Sequence, residues 1–295
     1  MRITVRQLEI FCAIYQEQTV TGAARRIGLS QAATSQSLAE LENLLERKLF
    51  DRHGRRIVLN SAGRQLLPAA VQVLDRVRAI EGAGARQPVQ IRICASLTAG
   101  NYMLPPILSR FVRGHRHYLF HVDMGNTDQV VESLLQFESD AGWIEGLVHH
   151  PDLTAFSWRE DELWVVASPQ HPLAGRQASP ADLARAFWVM REKGSGTRAV
   201  FESAMEGKFA FAQAPIEFGG IEAIKHAVFA DAGLGCISKA AVTAEWKAGR
   251  LKRVHCPWLD LRRQITVLVH REKYLDAGLQ RFLEYCGIEF PKTPR

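Results

Sequence analysis

The first 60 residues carry apolar positions at the spacing of α-helices. Val5, Leu8, Phe11 and Ile14 define the inner face of a first helix. The segment TGAARRIG predicts a short second helix with Thr21 at its N-cap, since a threonine hydroxyl can accept a hydrogen bond from the first turn. The opening of the chain is therefore predicted to be helical.

A third helix completes a compact unit. Ser30 is the predicted N-cap of a helix from Gln31 to about Leu49. Two helices joined by a short turn form a helix-turn-helix. The segment DRHGRRIVLN then predicts a turn flanked by short strands, the wing. Residues 1–60 are thus predicted to form a winged helix-turn-helix domain.

The third helix has two faces of different chemistry. Thr34, Leu38, Leu41 and Leu45 fall on one side, so we expect Thr34 to be buried. The opposite side has short side chains and no acidic residue, as a helix in the DNA major groove requires. A solvated helix with a solvated basic turn is the alternative. The candidate DNA contacts are Thr21, Ser30, Gln31, Ala32, Ser35 and Gln36, with Arg52, Arg55 and Arg56 of the wing.

Residues 61–87 predict a linker helix that joins two chains. Its apolar positions are spaced four and three apart in alternation, as in a two-stranded coiled coil. Packing on its own chain is the alternative, but GAGARQP directly afterwards is typical of a linker. The candidate dimerisation residues are Leu66, Ala70, Val73, Val77 and Ile80.

From residue 88 onward, strand patterns alternate with helix patterns. QIRICA and YLFHVDM predict strands, and NTDQVVESLLQF and GTRAVFESAM predict helices. This alternation predicts an α/β effector-binding domain over residues 88–295, with largely parallel sheets. The length suits two lobes, with lobe I at about 88–160 and 266–295 and lobe II at about 161–265.

Charge and composition narrow the function. With 47% hydrophobic and 23% charged residues, the composition is typical of a soluble globular protein. Residues 1–85 hold 12 Lys and Arg against 8 Asp and Glu, so this part carries a net +4 of the total +6. The excess indicates a polyanionic partner for the first domain.

The chain lacks the features of an exported or membrane protein. No apolar run approaches the ~20 residues that cross a bilayer, and MRITVRQLEIF lacks the apolar core of a signal peptide. Five scattered cysteines without a CxxC pair favour a reduced, cytoplasmic protein, and a redox-sensing pair is the alternative.

Two strand-to-helix turns predict a ligand site, because ligands of open α/β sheets bind beyond the carboxyl ends of strands. SLTAGN follows the first predicted strand, and REKGSGTR follows AFWVM. Backbone N–H groups and hydroxyls in the second turn suit an anion at a helix N-terminus. An ordinary capped loop is the alternative. The GK[ST] ending of a P-loop is missing, so nucleotide hydrolysis is not implied.

The sequence contains no clear motif for metal binding or catalysis. His115, His117, His149 and His150 lack the partners of a zinc site, so we predict surface histidines, no metal and no cofactor. No nucleophile elbow indicates a catalytic triad, and no catalytic residue is assigned. Two alternatives stay open: an enzyme that uses the Ser195 loop on a phosphorylated substrate, and a periplasmic-type solute receptor with a helical extension.

The stretch from Thr19 to Gly63 resembles the N-terminal signature of LysR-type transcriptional regulators. It departs from the family pattern at Ala32, Thr34 and Asn60, where Pro, Val and Thr are usual. The resemblance extends over the whole chain and implies a cytoplasmic, ligand-responsive regulator. Such a protein binds promoter DNA as a homodimer or homotetramer and has no enzymatic activity. The matching positions are Thr21, Ala23, Ala24, Leu29, Ser30, Gln31, Ala33, Ser35, Leu41, Glu42, Leu49, Phe50, Arg52, Arg55, Leu59, Ala62 and Gly63.

The same resemblance implies an effector held between two lobes. SLTAGNYMLP and REKGSGTR are most similar to the branch that controls sulfur assimilation and CO2 fixation. That branch implies a small anion such as sulfite, sulfate, or a phosphorylated or carboxylated metabolite. Glu145 would repel an anion and is assigned to a hydrogen-bonding wall. The candidate effector contacts are Ser96, Thr98, Asn126, Thr127, Glu145, Gly194, Ser195, Gly196, Thr197, Arg198, Gly220 and Ile221.

Overall fold

The computed structural model describes residues 2–54, 56–82 and 88–290. The chain divides into two compact units, the first comprising Met1–Gln87 and Glu272–Gln280 and the second Pro88–Arg271 and Arg281–Arg295. Arg55, predicted to contact DNA, lies outside the described residues, as do residues 83–87 of the predicted linker and 291–295 of predicted lobe I.

The first unit is a three-helix core followed by a β-hairpin and a long helix. Its buried side chains include Phe11, Ile14, Leu41 and Leu49, which are inaccessible to solvent and join the helices to the hairpin. This is a winged helix-turn-helix. The elements are α1 Val5–Glu17, α2 Val20–Ile27, α3 Gln31–Leu44, β1 Phe50–His53, β2 Arg56–Leu59 and α4 Ser61–Gly82.

The predicted start of the second helix was wrong. Thr19, not Thr21, is the N-cap of α2, because Thr19 has extended backbone angles and its hydroxyl accepts a hydrogen bond from Gly22 N at 3.1 Å. Gly28 ends the helix in the left-handed conformation (φ 68°), as a C-cap glycine does. Thr21 therefore lies within the first turn of α2.

The third helix begins as predicted and ends earlier. Ser30 Oγ accepts a hydrogen bond from Ala33 N at 3.1 Å, which confirms the predicted N-cap. The helix stops at Leu44, well before the predicted Leu49. Glu42 fixes the chain beyond the helix, since its carboxylate accepts hydrogen bonds from Leu49 N at 2.9 Å and Lys48 Nζ at 2.7 Å.

The segment Glu272–Gln280 belongs to the first unit and holds α4 by polar contacts. Lys273 Nζ lies 2.5 Å from Asp75 Oδ2, and both side chains are buried. The guanidinium of Arg76 lies 5.0 Å from the ring centre of Tyr274. A buried ion pair needs both partners, so these contacts fix where the segment meets the helix.

The second unit is a two-lobed α/β domain. Lobe I is built on β3–β5 and lobe II on β7–β9, and the long strands β6 and β11 take part in both. The elements are β3 Val89–Ser96, a π-helical turn Ala99–Met103, α5 Leu104–Gly114, β4 Tyr118–Gly125, α6 Thr127–Leu135, β5 Ala141–Glu145, β6 Leu153–Ala167, α7 Pro180–Arg185, β7 Trp188–Arg191, α8 Gly196–Met205, β8 Ile216–Phe218, α9 Ile221–Phe229, β9 Leu234–Ser238, α10 Lys239–Lys247, β10 Lys252–Val254, β11 Arg262–His270 and α11 Ala277–Tyr285.

The sheet is mixed, so the expectation of largely parallel sheets was wrong. The strand order is β4-β3-β5-β11-β6-β9-β7-β8, with β10 paired to β6. β3 is parallel to β4 and β5, and β7 is parallel to β8 and β9. The two crossing strands are antiparallel to their neighbours: β11 pairs with β5 and β6, and β6 pairs with β9.

Several elements of this unit have no counterpart in the prediction. β6 begins at Leu153, and residues 154–160 are all partly or fully exposed, so the first half of this strand lacks the buried apolar run that marks its second half. The helices α7 and α10 and the short strand β10 are further additions. α7 and β10 span only six and three residues, which is too short for a periodic pattern to predict them.

Candidate DNA interface and effector cleft

The outer face of α3 is exposed, and its inner face is not. Thr34 is fully buried, which confirms its predicted position on the inner face. Thr21 Oγ1 donates a hydrogen bond to Gln31 Oε1 at 3.2 Å, so the start of α2 orients the first side chain of α3. The predicted contacts of α2 and α3 are all exposed: Thr21, Ser30, Gln31, Ala32, Ser35 and Gln36. The surface is low and mostly uncharged, as contact with base edges requires, but the exposed carboxylate of Glu40 borders it and accepts a hydrogen bond from Gln36 Nε2 at 3.0 Å, which the sequence prediction missed.

The wing is a tight hairpin with cationic side chains near its tip. β1 pairs with β2 from Phe50 opposite Leu59 to His53 opposite Arg56, and Gly54 has φ 62° in the connecting turn. Arg52 and Arg56 are exposed on either strand. The hairpin is anchored by a hydrogen bond from Ile57 N to Gln18 O at 2.9 Å. This geometry offers guanidinium groups to phosphates.

The structure adds basic residues that the sequence prediction missed. Arg25 lies exposed on α2, the helix that packs beside α3, and Arg47 lies exposed just beyond α3. Both are candidate phosphate contacts. The signal in the sequence was the presence of further arginines inside the helix-turn-helix, but their exposure could not be derived before the start of α2 and the end of α3 were known.

One stripe of α4 is left uncovered within the unit. Val73 and Ile80 are 40% and 74% exposed, and Leu66 and Val77 are partly exposed. Ala70 is different, because it is buried within its own unit together with Leu67 and Leu74. The apolar stripe available to a second chain therefore contains four of the five predicted positions.

The candidate effector residues surround Arg263, which the sequence prediction missed. Its side chain is 1% exposed, and Nε donates to Asp161 Oδ2 at 2.7 Å. Its other nitrogens donate to Thr197 Oγ1 at 2.8 Å and Thr98 Oγ1 at 3.2 Å. One guanidinium thus joins the turn after β3 in lobe I to the start of α8 in lobe II. Arg263 stands at the start of a strand with no motif around it, so its burial was not predictable.

The two predicted turns meet in the second unit. A Cβ atom added to Gly196 would lie 2.4 Å from Glu145 O and 2.7 Å from Thr127 Oγ1. Only glycine permits this approach of backbone to backbone. Glu145 Oε1 accepts a hydrogen bond from Thr98 N at 3.1 Å, so the carboxylate holds the β3 turn. The structure thus brings together residues predicted from four separate segments.

Three hydroxyls of this cluster are buried without a hydrogen bond. Ser96, Thr127 and Ser195 are 1%, 7% and 3% exposed, and within the described chain their hydroxyl oxygens have no partner. A buried polar group without a partner costs free energy, and such groups are uncommon in folded proteins. Several such hydroxyls in one cleft are typical of a site that binds a polar ligand.

The remaining predicted contacts lie at the starts of helices or in ion pairs. Asn126 is the N-cap of α6, and Gly194 (φ 84°) and Gly220 precede α8 and α9. The guanidinium of Arg198 lies 2.7 Å from both Glu202 and Glu217, so two carboxylates already compensate its charge.

The side chain of Ile221 also lies outside the cleft. It packs in the apolar core of lobe II with Ile224 and Val228 rather than towards a ligand. Its predicted role as an effector contact therefore does not fit the position of its side chain.

The cysteines are poorly suited to redox chemistry. Cys12, Cys94, Cys236 and Cys286 are buried, and Cys256 is partly exposed. Burial raises the pKa of Cys12 and Cys286 to about 12. It raises the pKa of Cys94 and Cys256 to about 11. The reactive thiolate is therefore scarce at neutral pH.

Neither metal sites nor membrane spans stand out in the described residues. No three His, Cys, Asp or Glu side chains there are grouped so that they could hold a metal ion. Among the described helices, none combines the length and hydrophobicity needed to cross a bilayer.

The winged helix-turn-helix and the two-lobed α/β domain together define a DNA-binding protein with a ligand-binding domain. Residues 5–64 match the family described as "Bacterial regulatory helix-turn-helix protein, lysR family", and residues 85–290 match "LysR substrate binding domain". The chain therefore belongs to the LysR family of transcriptional regulators.

Related transcriptional regulators align with nearly the full length of this chain. The uncharacterized HTH-type transcriptional regulator YeiE of Escherichia coli K12 is 38% identical over 286 residues, covering 97% of this chain and 98% of the relative. The RuBisCO operon transcriptional regulator of Allochromatium vinosum is 29% identical over 294 residues, covering 98% and 97%. The predicted likeness to regulators of CO2 fixation is confirmed.

Solved structures share the fold. A full-length variant of OxyR from Pseudomonas aeruginosa has a TM-score of 0.79 at 18% identity, covering 97% of this chain and 95% of that chain. The CcmR regulatory domain of Synechocystis PCC6803, solved in complex with 2-PG, has a TM-score of 0.62 at 26% identity, covering 67% and 95%.

Proposed function

We propose that the chain is a cytoplasmic regulator that binds promoter DNA through α3 and the wing and a small anionic effector between the lobes. The anion belongs to the class of oxyanions or carboxylated metabolites. The observation that carries the effector site is the set of unpartnered hydroxyls of Ser96, Thr127 and Ser195 in the described chain. The CcmR regulatory domain, similar to this one, was solved with the small anion 2-PG, which supports the class.

The charges in the cleft define how an anion would be held. Arg263 is already paired with Asp161, and Glu145 adds a further carboxylate. An anion would therefore be bound by neutral donors, the free hydroxyls and the N–H groups at the start of α8, rather than by an ion pair. Such donors are aligned with the positive end of the α8 dipole.

The effector proposal is tested by thermal shift on the full chain with sulfate, sulfite, phosphate and 2-phosphoglycolate. A ligand that binds only the folded protein raises the melting temperature. Ser195→Ala should lose most of that rise, whereas Ser203→Ala, an exposed serine on α8, should keep it. An equal rise in both variants would place the ligand elsewhere.

We also propose that the cleft binds without catalysis. A serine nucleophile needs an adjacent base to take its proton. Within the described chain, Ser195 Oγ has no hydrogen-bond partner. Incubation of the protein with each anion that shifts its melting temperature should leave that anion chemically unchanged, and formation of a product would overturn this part of the proposal.

The DNA interface is tested by gel shift on the region upstream of the chain's own gene. Gln31→Ala should reduce discrimination between this DNA and a scrambled sequence, because it removes a base-edge contact. Arg56→Ala should weaken binding to both and lower the salt slope by about one. Gln16→Ala, on the exposed face of α1, serves as the control. Unchanged binding in both test variants contradicts the assignment.

We propose that two chains pair through the uncovered stripe of α4, and that pairs assemble further into a homotetramer. Val73 and Ile80 are apolar and exposed on a 22-residue helix, which supports a coiled-coil partner.

A further inference from the structure

The turn that follows β3 packs against the core of the opposite lobe. Leu97 and Tyr102 belong to lobe I, yet their side chains contact the lobe II cluster that contains Trp164, Ile221 and Ile224. Tyr102 lies within the π-helical turn Ala99–Met103, which begins two residues after Leu97. Short π-helical segments occur frequently at functional sites. This turn is thus a piece of one lobe inserted into the other.

A hydrogen bond completes the insertion. Tyr102 Oη donates to Glu222 Oε1 at 2.7 Å, which joins residues from the two lobes. Burial and the carboxylate raise the pKa of Tyr102 above its usual range, so the phenol stays protonated and acts as the donor. Although burial opposes the charge of Glu222, the hydrogen bonds from Tyr102 and Lys225 outweigh it and lower the pKa of Glu222.

The acceptor side of this bond is held in place. Lys225 Nζ lies 2.9 Å from Glu222 and 2.6 Å from Glu245 on α10, and Lys225 is only 4% exposed. Glu222 is thus anchored through a buried cation to a second helix of lobe II. Tyr102 therefore bonds to a group that cannot easily follow it when the lobes separate.

We propose that the segment Leu97–Met103 is a latch that holds the two lobes closed over the cleft, with the Tyr102–Glu222 hydrogen bond as its releasable end. Thr98 lies within this segment, and Ser96 directly precedes it. Opening the latch therefore withdraws these hydroxyls from the lobe II side of the cleft. The latch exists in the protein without ligand. Its regulatory meaning rests on the proposed function, because only an effector bound in this cleft would depend on its closure.

The latch is tested by hydrogen–deuterium exchange on the full chain with no ligand added. Tyr102→Phe should speed exchange of peptides covering residues 97–104 and 219–226 by about fivefold, the effect of losing one charge-assisted hydrogen bond at a partly exposed position. Tyr285→Phe removes the same hydroxyl from an exposed tyrosine on α11 and should leave both peptides unchanged. No change in Tyr102→Phe, or an equal change in the control, overturns the proposal.

A double-mutant cycle ties the effect to this bond. Glu222→Ala also removes one partner of the buried Lys225, so its increase should equal or exceed that of Tyr102→Phe, and the double variant should exchange no faster than Glu222→Ala alone, because the Tyr102 contact is already broken there. Additive increases would overturn the pairing. These measurements need no effector, so they separate failure of the latch from failure of the effector proposal, which the thermal-shift series detects on its own.

Discussion

Substitution of the serines with unpartnered hydroxyls in the cleft is expected to stabilise the protein. A buried Ser without a hydrogen bond destabilises the ligand-free protein by about 1 kcal/mol or more. Ser96→Ala and Ser195→Ala should therefore raise the free energy of unfolding by about 1 kcal/mol, measured by urea denaturation without ligand. The same substitutions should weaken effector binding, so stability and function would change in opposite directions.

A matched serine supplies the control for this prediction. Ser238 is equally buried, but its hydroxyl donates to Asp161 Oδ1 at 2.9 Å and accepts from Ala240 N at 3.1 Å. Ser238→Ala should lower the free energy of unfolding by about 1 kcal/mol, since it leaves Asp161 with one donor fewer. If Ser96→Ala lowers stability as much as Ser238→Ala does, the hydroxyl of Ser96 has a partner in solution.

The thiols give a prediction about pH. Burial raises the pKa of Cys256, the cysteine that is partly exposed, to about 11. At pH 8 the thiolate fraction is then roughly a hundredfold smaller than for an ordinary cysteine, and it grows as the pH rises. Alkylation by iodoacetamide should be slow at pH 8 and accelerate steadily to pH 10. Fast labelling of the native protein at pH 8 would reopen the redox-sensing alternative.

At the scale of elements, the long periodic segments were predictable and the points where they end were not. The helical spacing of α1 and the cap at Ser30 are local properties, so both emerged from the sequence. The true start of α2 depends on the backbone angles of Thr19, which only the packed structure shows. The end of α3 depends on Glu42 contacting Leu49, seven residues away along the chain.

Some residues of the cleft were likewise predictable from the sequence, and others were not. Ser96, Thr98, Ser195 and Thr197 follow strands and precede helices, so topology alone predicted their convergence. Arg263 comes from a strand that runs antiparallel between the lobes, and its partners lie in three other segments. No local pattern marks such a residue. The pairing of Arg198 with two glutamates was unpredictable for the same reason.

The stripe on α4 carries a prediction at this scale. Ile80→Glu should reduce self-association, because it places a charge in an apolar seam. Sedimentation velocity over a range of protein concentrations measures the change as a shift towards monomer. Glu81→Gln, at the next exposed position of the helix, changes charge without touching the apolar stripe and should leave assembly intact. Unchanged association in Ile80→Glu would mean that the chains pair through another surface.

At the scale of the whole molecule, the two functions reside in separate units. Every described residue of the cleft network, including Arg263 and its three partners, belongs to the second unit. The exposed face of α3 and the wing belong to the first unit. The solved CcmR regulatory domain corresponds to 67% of this chain, so a domain of this kind folds without a helix-turn-helix.

These observations predict that a fragment of residues 88–290 binds the effector as the full chain does. Its dissociation constant, measured by calorimetry, should stay within about threefold of that of the full chain, because all the ligand donors are retained. The fragment should be less stable, since Lys273 loses its ion pair with Asp75. In the fragment, Lys273 is a cation without its partner Asp75. Lys273→Met removes this charge and should therefore restore part of the lost stability. A fragment that is folded by circular dichroism yet does not bind the effector would show that the first unit contributes to the cleft.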